Sequence, residues 1–317
     1  MMRKIILTGA TGFIGRYMCK YLMEHEWEIY AVVRPDSPNK DLLLQGENMH
    51  IIEADIENIQ KIKKEISQAD VFFHLAWGGV NRGEIDDEAI HMKNAQYSLQ
   101  CVETAIELGC KVFMDAGSRT EYGIVNGMMS EDLECHPVTA YGKAKLLFYE
   151  KAKKLLREKK ISFYHLRIFS VYGCEDHPWS IISTLTRELA LGNKVSLSAC
   201  LHQWNFMYIE DAVEAIYGLI ERGLTYQEQW IVNIASNDNR PLYDFVHEIH
   251  QCTGAKSVLE FGSFQQGKEG AVSIIADNNR MLQLLENYRE KHSFREGIQI
   301  ILKYNAEKMN PKERENK

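Results

Sequence analysis

The sequence predicts an α/β fold, a doubly wound parallel sheet joined to a smaller α/β lobe. Three observations carry this. Short apolar, β-rich runs alternate with longer amphipathic segments through the first half, the pattern of repeated strand–helix–strand units. The first run is followed by Gly9-Ala10-Thr11-Gly12-Phe13-Ile14-Gly15, a glycine turn leading into a helix. The second half loses the alternation and cannot simply extend the sheet.

The elements follow in order. Strands are expected at Lys4–Leu7, Glu28–Val33, His50–Glu53, Val71–Leu75, Lys111–Asp115 and Ile161–Ile168, with helices near 13–25, 58–67, 86–108 and 140–159. Right-handed crossovers then place helices on both faces and ligands at the carboxyl ends of the strands. Further on, a helix at 179–191 ends at Gly192-Asn193, a good helix stop. A strand at 204–209, a helix at 210–222, a strand at 229–234 and helices near 241–252 and 294–304 complete the chain, and Met309 to Lys317 is a polar end. The expected division is a dinucleotide-binding part over 1–173, with 204–236 returning to it, and a substrate-binding lobe over 174–317.

Composition narrows the class. The chain has 317 residues, 45% of them hydrophobic, and a net charge of −7. With no long basic run, binding to nucleic acid or an anionic membrane has little electrostatic support. No apolar run is long enough to span a bilayer, and no signal-peptide pattern opens the chain. The seven cysteines are scattered, with no Cys-x-x-Cys or Cys/His ligand spacing. Reduced thiols in a cytoplasmic protein without a metal site are the expectation.

Three stretches carry chemistry. The first is the glycine turn. Its glycines let the backbone approach a pyrophosphate, and the helix N-terminus offers free N–H donors. Gly9, Thr11, Gly12, Phe13, Ile14 and Gly15 are therefore cofactor-binding candidates, although a turn with glycines only for packing reads the same way. The second stretch ends the second strand. An acidic residue there would bind the ribose hydroxyls of NAD. The chain has Val33-Arg34-Pro35-Asp36-Ser37, so Arg34 is a candidate for the 2′-phosphate of NADP and Ser37 for a further donor. A solvated arginine beside a turn is the plainer alternative, and NAD stays open. Asp55, after the third strand, is a candidate for the adenine amine or an ordinary helix cap. His74-Leu75-Ala76-Trp77-Gly78-Gly79 brings small residues to a strand end, where a cofactor can lie close to the backbone. His74 itself reads as a packed histidine.

The third stretch is Asp115 to Gly123, followed by Tyr141-Gly142-Lys143-Ala144-Lys145 at a helix start. Tyr141 and Lys145 are four apart and share a helix face. A nearby ammonium favours the phenolate, which makes the phenol a usable base. Ser118 can hydrogen-bond the oxygen that gains or loses the proton. A tyrosine and a lysine four apart are common on any surface. The pair is informative because it follows the glycine turn and Ser118 in that order.

Here the chain resembles the extended short-chain dehydrogenase/reductases of the nucleotide-sugar epimerase/dehydratase group, which have a Rossmann sheet. The likeness runs through Thr8 to Gly15, His74-Leu75-Ala76, Asn94, Gly117-Ser118, Tyr122-Gly123, and Tyr141 with Lys145. It continues through Arg167 to Gly173 and Phe206 to Ala212. It implies Tyr141 as general acid or base, Lys145 as the residue that orients the nicotinamide ribose, and Ser118 as the one that positions a sugar oxygen. It also implies Leu75, Ala76, Trp77, Asn94 and Ile168 beside the cofactor. Trp77, Ser118, Thr120, Ser170, His177 and Trp204 would then face the substrate.

The departures from that group matter. Its dehydratases carry Asp-Glu after the active-site hydroxyl residue, where this chain has Arg119-Thr120, so a 4,6-dehydratase is not expected. Ser170 stands where asparagine is common and Trp204 where arginine is common. Arg187 and Arg280 are candidates to replace the missing phosphate contacts. Trp204 is a candidate to stack on a base or sugar, and it fits a packed tryptophan as well. His177 is a candidate second acid/base or a polar loop residue. Leu259 to Gln266 and Ala276 to Arg280 resemble the late segments of 4-ketoreductases acting on CDP- and dTDP-sugars.

The expected function is an NADP-linked 4-ketoreductase of a nucleotide-activated deoxyhexose. The alternative is a nucleotide-sugar 4-epimerase with retained NAD. A reductase of non-sugar ketones and a non-catalytic cofactor-binding sensor are the further readings. A homodimer through the long helices is allowed by Leu99, Val102 and Ile106, which equally fit packing on the chain's own sheet.

Overall fold

The computed structural model describes residues 2–81, 83–254, 256–263 and 272–309. In chain order the first half holds β1 (Lys4–Thr8), α1 (Phe13–Glu24), β2 (Glu28–Val33), β3 (Met49–Glu53), β4 (Val71–His74), α2 (Glu88–Glu107), β5 (Val112–Ser118), β6 (Met128–Met129), α3 (Ala140–Glu158) and β7 (Ser162–Ile168). The rest holds β8 (Ser170–Tyr172), α4 (Ile181–Ala190), β9 (Val195–Leu197), β10 (Gln203–Tyr208), α5 (Ile209–Thr225) and β11 (Gln229–Ile234). It ends with β12 (Asn239–Pro241), α6 (Leu242–Thr253), β13 (Leu259–Phe261), β14 (Ile275–Ala276), α7 (Asn279–Leu284) and α8 (Phe294–Met309).

Seven strands form one sheet in the order β11-β7-β5-β4-β1-β2-β3, and every pair in it is parallel. The strands are apolar on both faces because helices cover both. Ile5, Leu7, Phe73 and Met114 enter the core that includes Leu219 and Ile220 of α5. Ile6, Phe72 and Phe113 enter the opposite core, with Val102 of α2 and Phe148 of α3. This period of two explains why the runs read as unbroken hydrophobic stretches. Leu99, Val102 and Ile106 pack into that second core, so they are used within the chain.

The segment expected as a helix at 58–67 is instead a 3₁₀ stretch over Ile56–Lys64, with non-helical backbone at Asn58. Ile56, Ile59 and Ile62 are spaced by three, which matches the three-residue turn of a 3₁₀ helix. Of the 204–236 segment, α5 and β11 return to the large sheet. β10 lies between β8 and β12 in a separate three-stranded sheet. The pairs β9–β13 and β6–β14 complete the smaller part. No helix among the described residues is long and apolar enough to cross a membrane. From Leu259 to Gln266 only the residues before Phe264 are described, and the polar end beyond Met309 lies outside the described residues.

Candidate active site

The glycine turn sits where β1 meets α1. Gly9 has a φ of +70°, and a Cβ there would lie 2.8 Å from the Ala76 nitrogen. A Cβ on Gly15 would lie 2.2 Å from the Gly9 carbonyl oxygen. These two glycines let the turn close on itself and on the loop after β4. Gly12 differs. It is exposed, and it caps α1 without any side-chain hydrogen bond to the first turn. The open N–H groups of that turn suit the oxygens of a pyrophosphate.

The neighbouring strand ends supply the other cofactor candidates. Ser37 donates to the Thr11 hydroxyl at 3.0 Å, tying the loop after β2 to the glycine turn. Phe13 packs edge-on against Tyr17, and Ile14 packs against the core. Arg34 directly follows β2 and is exposed, and Asp55 lies exposed just beyond β3. Asp55 occupies a cap position but makes no side-chain cap bond. Asn94, on α2, accepts from the Gly78 N–H at 3.2 Å and donates to the Gly78 carbonyl at 3.0 Å. It thereby fixes the loop holding Leu75, Ala76 and Trp77. Ile168 closes β7 beside Ser118, its register partner.

The reacting corner is built by β5 and α3. Thr139 caps α3 by accepting from the Gly142 N–H at 3.1 Å. A Cβ on Gly142 would be 2.6 Å from the Thr120 carbonyl oxygen, so the first turn of α3 can lie against the turn after β5. That contact places Tyr141 near Ser118, which acts on the phenol as a polar neighbour. The Ser118 oxygen also accepts from the Thr120 N–H at 3.2 Å and the Thr120 hydroxyl at 2.9 Å. A serine hydroxyl has two acceptor sites and one proton. With both acceptor sites filled, Ser118 is left as a donor.

Lys145 is buried. Its ammonium donates to the Ala116 carbonyl at 2.6 Å and lies 3.6 Å from the centre of the Trp77 ring. The Tyr141 ring centre is 5.7 Å away. Burial pulls Lys145 down to about 8, while the Asp115 and Glu121 carboxylates pull it upward. Burial also raises the Tyr141 phenol well above its ordinary range, with Ser118 and Arg119 opposing the rise. The lowered phenol expected from the sequence is therefore not what the structure has. Removal of the ring from water outweighs its polar neighbours.

The substrate candidates divide. Thr120 and Ser118 are bonded to each other, and Trp77 meets Tyr141 edge-on with ring centres 6.0 Å apart. Trp204 joins this group through Arg119, whose guanidinium lies 5.5 Å from the centre of its ring. Ser170 is the backbone register partner of Phe206 in the smaller sheet. His177 is exposed and stacks on Trp179 at 4.6 Å. Arg280 is engaged at the sheet edge with Asp132 and the Ile231 carbonyl. Arg187 bonds Glu188 and the Pro178 carbonyl.

Sequence reasoning passed over a buried cluster beneath this corner, made by Asp115, Glu121, His165 and Arg167. One signal was readable. Ser118-x-x-Glu121 has the spacing of a capping box, and both of its hydrogen bonds are present.

A glycine turn beside a serine–tyrosine–lysine corner, both at the carboxyl ends of one doubly wound sheet, defines a dinucleotide-dependent enzyme of the extended short-chain dehydrogenase/reductase type. The chain belongs to the NAD dependent epimerase/dehydratase family, which it matches over residues 5–235. It is 26% identical to the uncharacterized UDP-glucose epimerase YtcB of Bacillus subtilis, covering 95% of this chain and 97% of that protein. It is 26% identical to a dTDP-6-deoxy-L-talose 4-dehydrogenase (NAD(+)) of Aggregatibacter actinomycetemcomitans, covering 77% and 88%. The fold is that of the UDP-glucose 4-epimerase of Thermotoga maritima solved with UDP-glucose, with a TM-score of 0.86 at 22% identity, covering 97% of this chain and 100% of that one.

Proposed function

We propose that this chain performs oxidation and reduction at C4 of a nucleotide-activated hexose. The observation that carries this reading is the Ser118–Tyr141–Lys145 corner beside the glycine turn. Gly12 with the first turn of α1, Leu75, Ala76 and Lys145 would hold a nicotinamide dinucleotide. Such a group supplies reversible hydride acceptance and donation when bound. Tyr141 takes the proton of the C4 hydroxyl on oxidation and returns it on reduction. Ser118 directs its one free proton to the same oxygen. A charged Lys145 favours the phenolate and so opposes the burial that raises it.

Two outcomes follow from one half-reaction. The similarity to proteins described as UDP-glucose epimerases favours 4-epimerisation, in which oxidation and re-reduction occur in one turnover. Arg34 favours the second outcome, a 4-ketoreductase using NADPH. It is a cation at the end of β2 where NAD binding calls for a carboxylate. The deciding experiment is a panel of UDP-, dTDP- and CDP-hexoses and their 4-keto forms with NADH and NADPH. Sugar interconversion without net nicotinamide change means an epimerase, and stoichiometric loss of NADPH means the reductase.

Tyr141→Phe should lower turnover by roughly 10²–10⁴-fold with cofactor binding retained. Unchanged turnover would remove Tyr141 from the reaction. Arg34→Ala should weaken NADPH by about tenfold or more, the scale of one charge-assisted hydrogen bond, and leave NADH nearly unaffected. Equal losses in titrations of the two would mean that Arg34 does not read the 2′-phosphate.

A further inference from the structure

The buried cluster beneath the corner has no place in the reaction described so far. Asp115, on β5, and His165, on β7, are register partners. His165 Nδ1 lies 2.9 and 3.0 Å from the two Asp115 oxygens, and its Nε2 lies 2.8 Å from Glu121 Oε2. Arg167 Nε donates to the same Glu121 oxygen at 3.0 Å. The four side chains are at most 1% exposed. Gly117 makes room for them. A Cβ there would be 2.5 Å from His165 Nε2 and 2.9 Å from Glu121 Oε1.

An ionised carboxylate can only accept hydrogen bonds. Both ring nitrogens of His165 face carboxyl groups, so with those groups ionised both nitrogens donate and the ring is an imidazolium. The cluster then holds two negative and two positive charges. Such buried ionic groups are seldom the most stable filling for a core, since apolar replacements are often as good or better. Their contacts point to another use.

The Glu121 oxygen not taken by Arg167 and His165, Oε1, accepts the Ser118 N–H at 2.6 Å. This fixes the end of β5, where Thr120 fills the acceptor sites of the Ser118 hydroxyl. The cluster also acts on Lys145, whose ammonium is held by the carbonyl of Ala116, the residue after Asp115 on β5. The Asp115 and Glu121 carboxylates favour its charge, and His74, on β4, is disfavoured as a cation by it. Trp77 and Tyr141 complete its surroundings. Of these groups, the two carboxylates carry the negative charge that favours a protonated lysine.

We propose that Asp115, His165, Glu121 and Arg167 form a fixed-charge bracket that positions Ser118 and keeps Lys145 protonated, with His165 as its central positioning residue. The proposal rests on the assignment of Ser118, Tyr141 and Lys145 to the reaction. His165 does not touch the reacting atoms. It acts by holding Glu121 against Ser118 and by keeping two carboxylates together near Lys145. In support, burial opposes its charge, but the carboxylates outweigh burial and hold His165 up at about 9. Burial likewise opposes Glu121, which His165 and Arg167 hold down at about 2.

Two measurements test the bracket. The first is ¹⁵N NMR of histidine-labelled full-length protein, with His165 assigned from the His165→Gln spectrum. Both ring nitrogens should stay protonated at pH 7.5, where an ordinary exposed histidine is neutral. A neutral His165 ring at pH 7.5 overturns the proposal. This measurement needs no substrate, so it stands even if Tyr141→Phe retains turnover and the reading of the corner fails.

The second measurement is the pH profile of kcat in Asp115→Asn. The side-chain amide of that variant can donate to a neutral His165 at Nδ1 while Nε2–H still serves Glu121, so every polar group keeps a partner. Lys145 loses the Asp115 charge, which acts on it directly, and the loss of the His165 charge offsets part of this, so the alkaline limb of kcat should move lower by a fraction of a pH unit. KM should stay within about twofold, because no group that binds substrate has changed. An alkaline limb that does not move overturns the proposal. Glu121→Gln, if it folds, should lower kcat by about tenfold or more with little change in KM, since Ser118 loses its anchor. Equal changes in kcat and KM there would count against positioning.

Discussion

His74 and His165 lie in one row of the sheet on either side of Asp115, with which each is in register. Both are buried, and both pack a ring against α3, His74 on Phe148 and His165 on Tyr149. Yet they take opposite charge states. His74 meets hydroxyls. Its Nδ1 is 2.8 Å from the Thr8 oxygen and its Nε2 is 2.8 Å from the Ser98 oxygen. Ser98 spends its own proton on the Asn94 carbonyl, so its oxygen accepts from Nε2–H. Thr8 accepts from the Ala76 N–H and can give its proton to Nδ1. That arrangement suits a neutral ring, and burial, with the Lys145 charge behind it, brings His74 down to about 3. Burial is common to both rings, so the kind of partner decides the charge.

The largest expected effect tests the neutral half of the pair. His74 takes its proton far below its ordinary value of 6.5, so the unfolded chain binds that proton first. Its contribution is complete above pH 6.5 and is lost as pH falls toward 3. Between pH 6.5 and about 4 this one group should remove ~3 kcal/mol of stability. Urea unfolding across that range should show a steeper loss in the unaltered protein than in His74→Gln, which has no proton to take up. Equal slopes would mean that the native ring accepts a proton, and the contrast with His165 would fail.

A smaller effect of opposite sign tests the charged half. His165 titrates at about 9 when folded, against 6.5 ordinarily. Its contribution is complete below pH 6.5 and is lost as pH rises through 9. Lys145, held down at about 8, works the other way above that pH, so the clean window is 6.5 to 8. There the unaltered protein should lose ~2 kcal/mol that His165→Gln does not. A flat curve for both proteins would place no proton on the buried His165 ring.

This pair also shows what was readable in the chain. The large sheet was legible because each of its strands has an apolar run set by burial on both faces. The glycine turn was legible because Gly9 and Gly15 sit where no Cβ fits. His74 was correctly read as a packed histidine, since it lies in a strand with Val71, Phe72 and Phe73. His165 was read as nothing more than part of a strand. Its charge depends on Asp115, fifty residues earlier, and on Glu121, and no local pattern brings those three together. The 3₁₀ stretch at 56–64 was misread for a different reason. A spacing of three among isoleucines also occurs on an α-helix, and the choice between the two was made by packing. The short strands β6, β8, β9, β12, β13 and β14 have two or three residues each, too few to show a period.

The smallest expected effect separates the two histidines by what they can do when a partner is lost. Ser98→Ala removes the acceptor for His74 Nε2–H. A neutral imidazole still accepts the Thr8 proton at Nδ1, so only Nε2–H is left without a partner. The cost should therefore be about 1 kcal/mol, the low end for one unsatisfied buried group, and the ¹⁵N spectrum of His74 should still show a neutral ring protonated at Nε2. His165 differs, because losing either carboxylate leaves its buried charge less compensated. A loss well above 3 kcal/mol in Ser98→Ala would mean that His74 is held as rigidly as His165. The difference between them would then lie in charge alone.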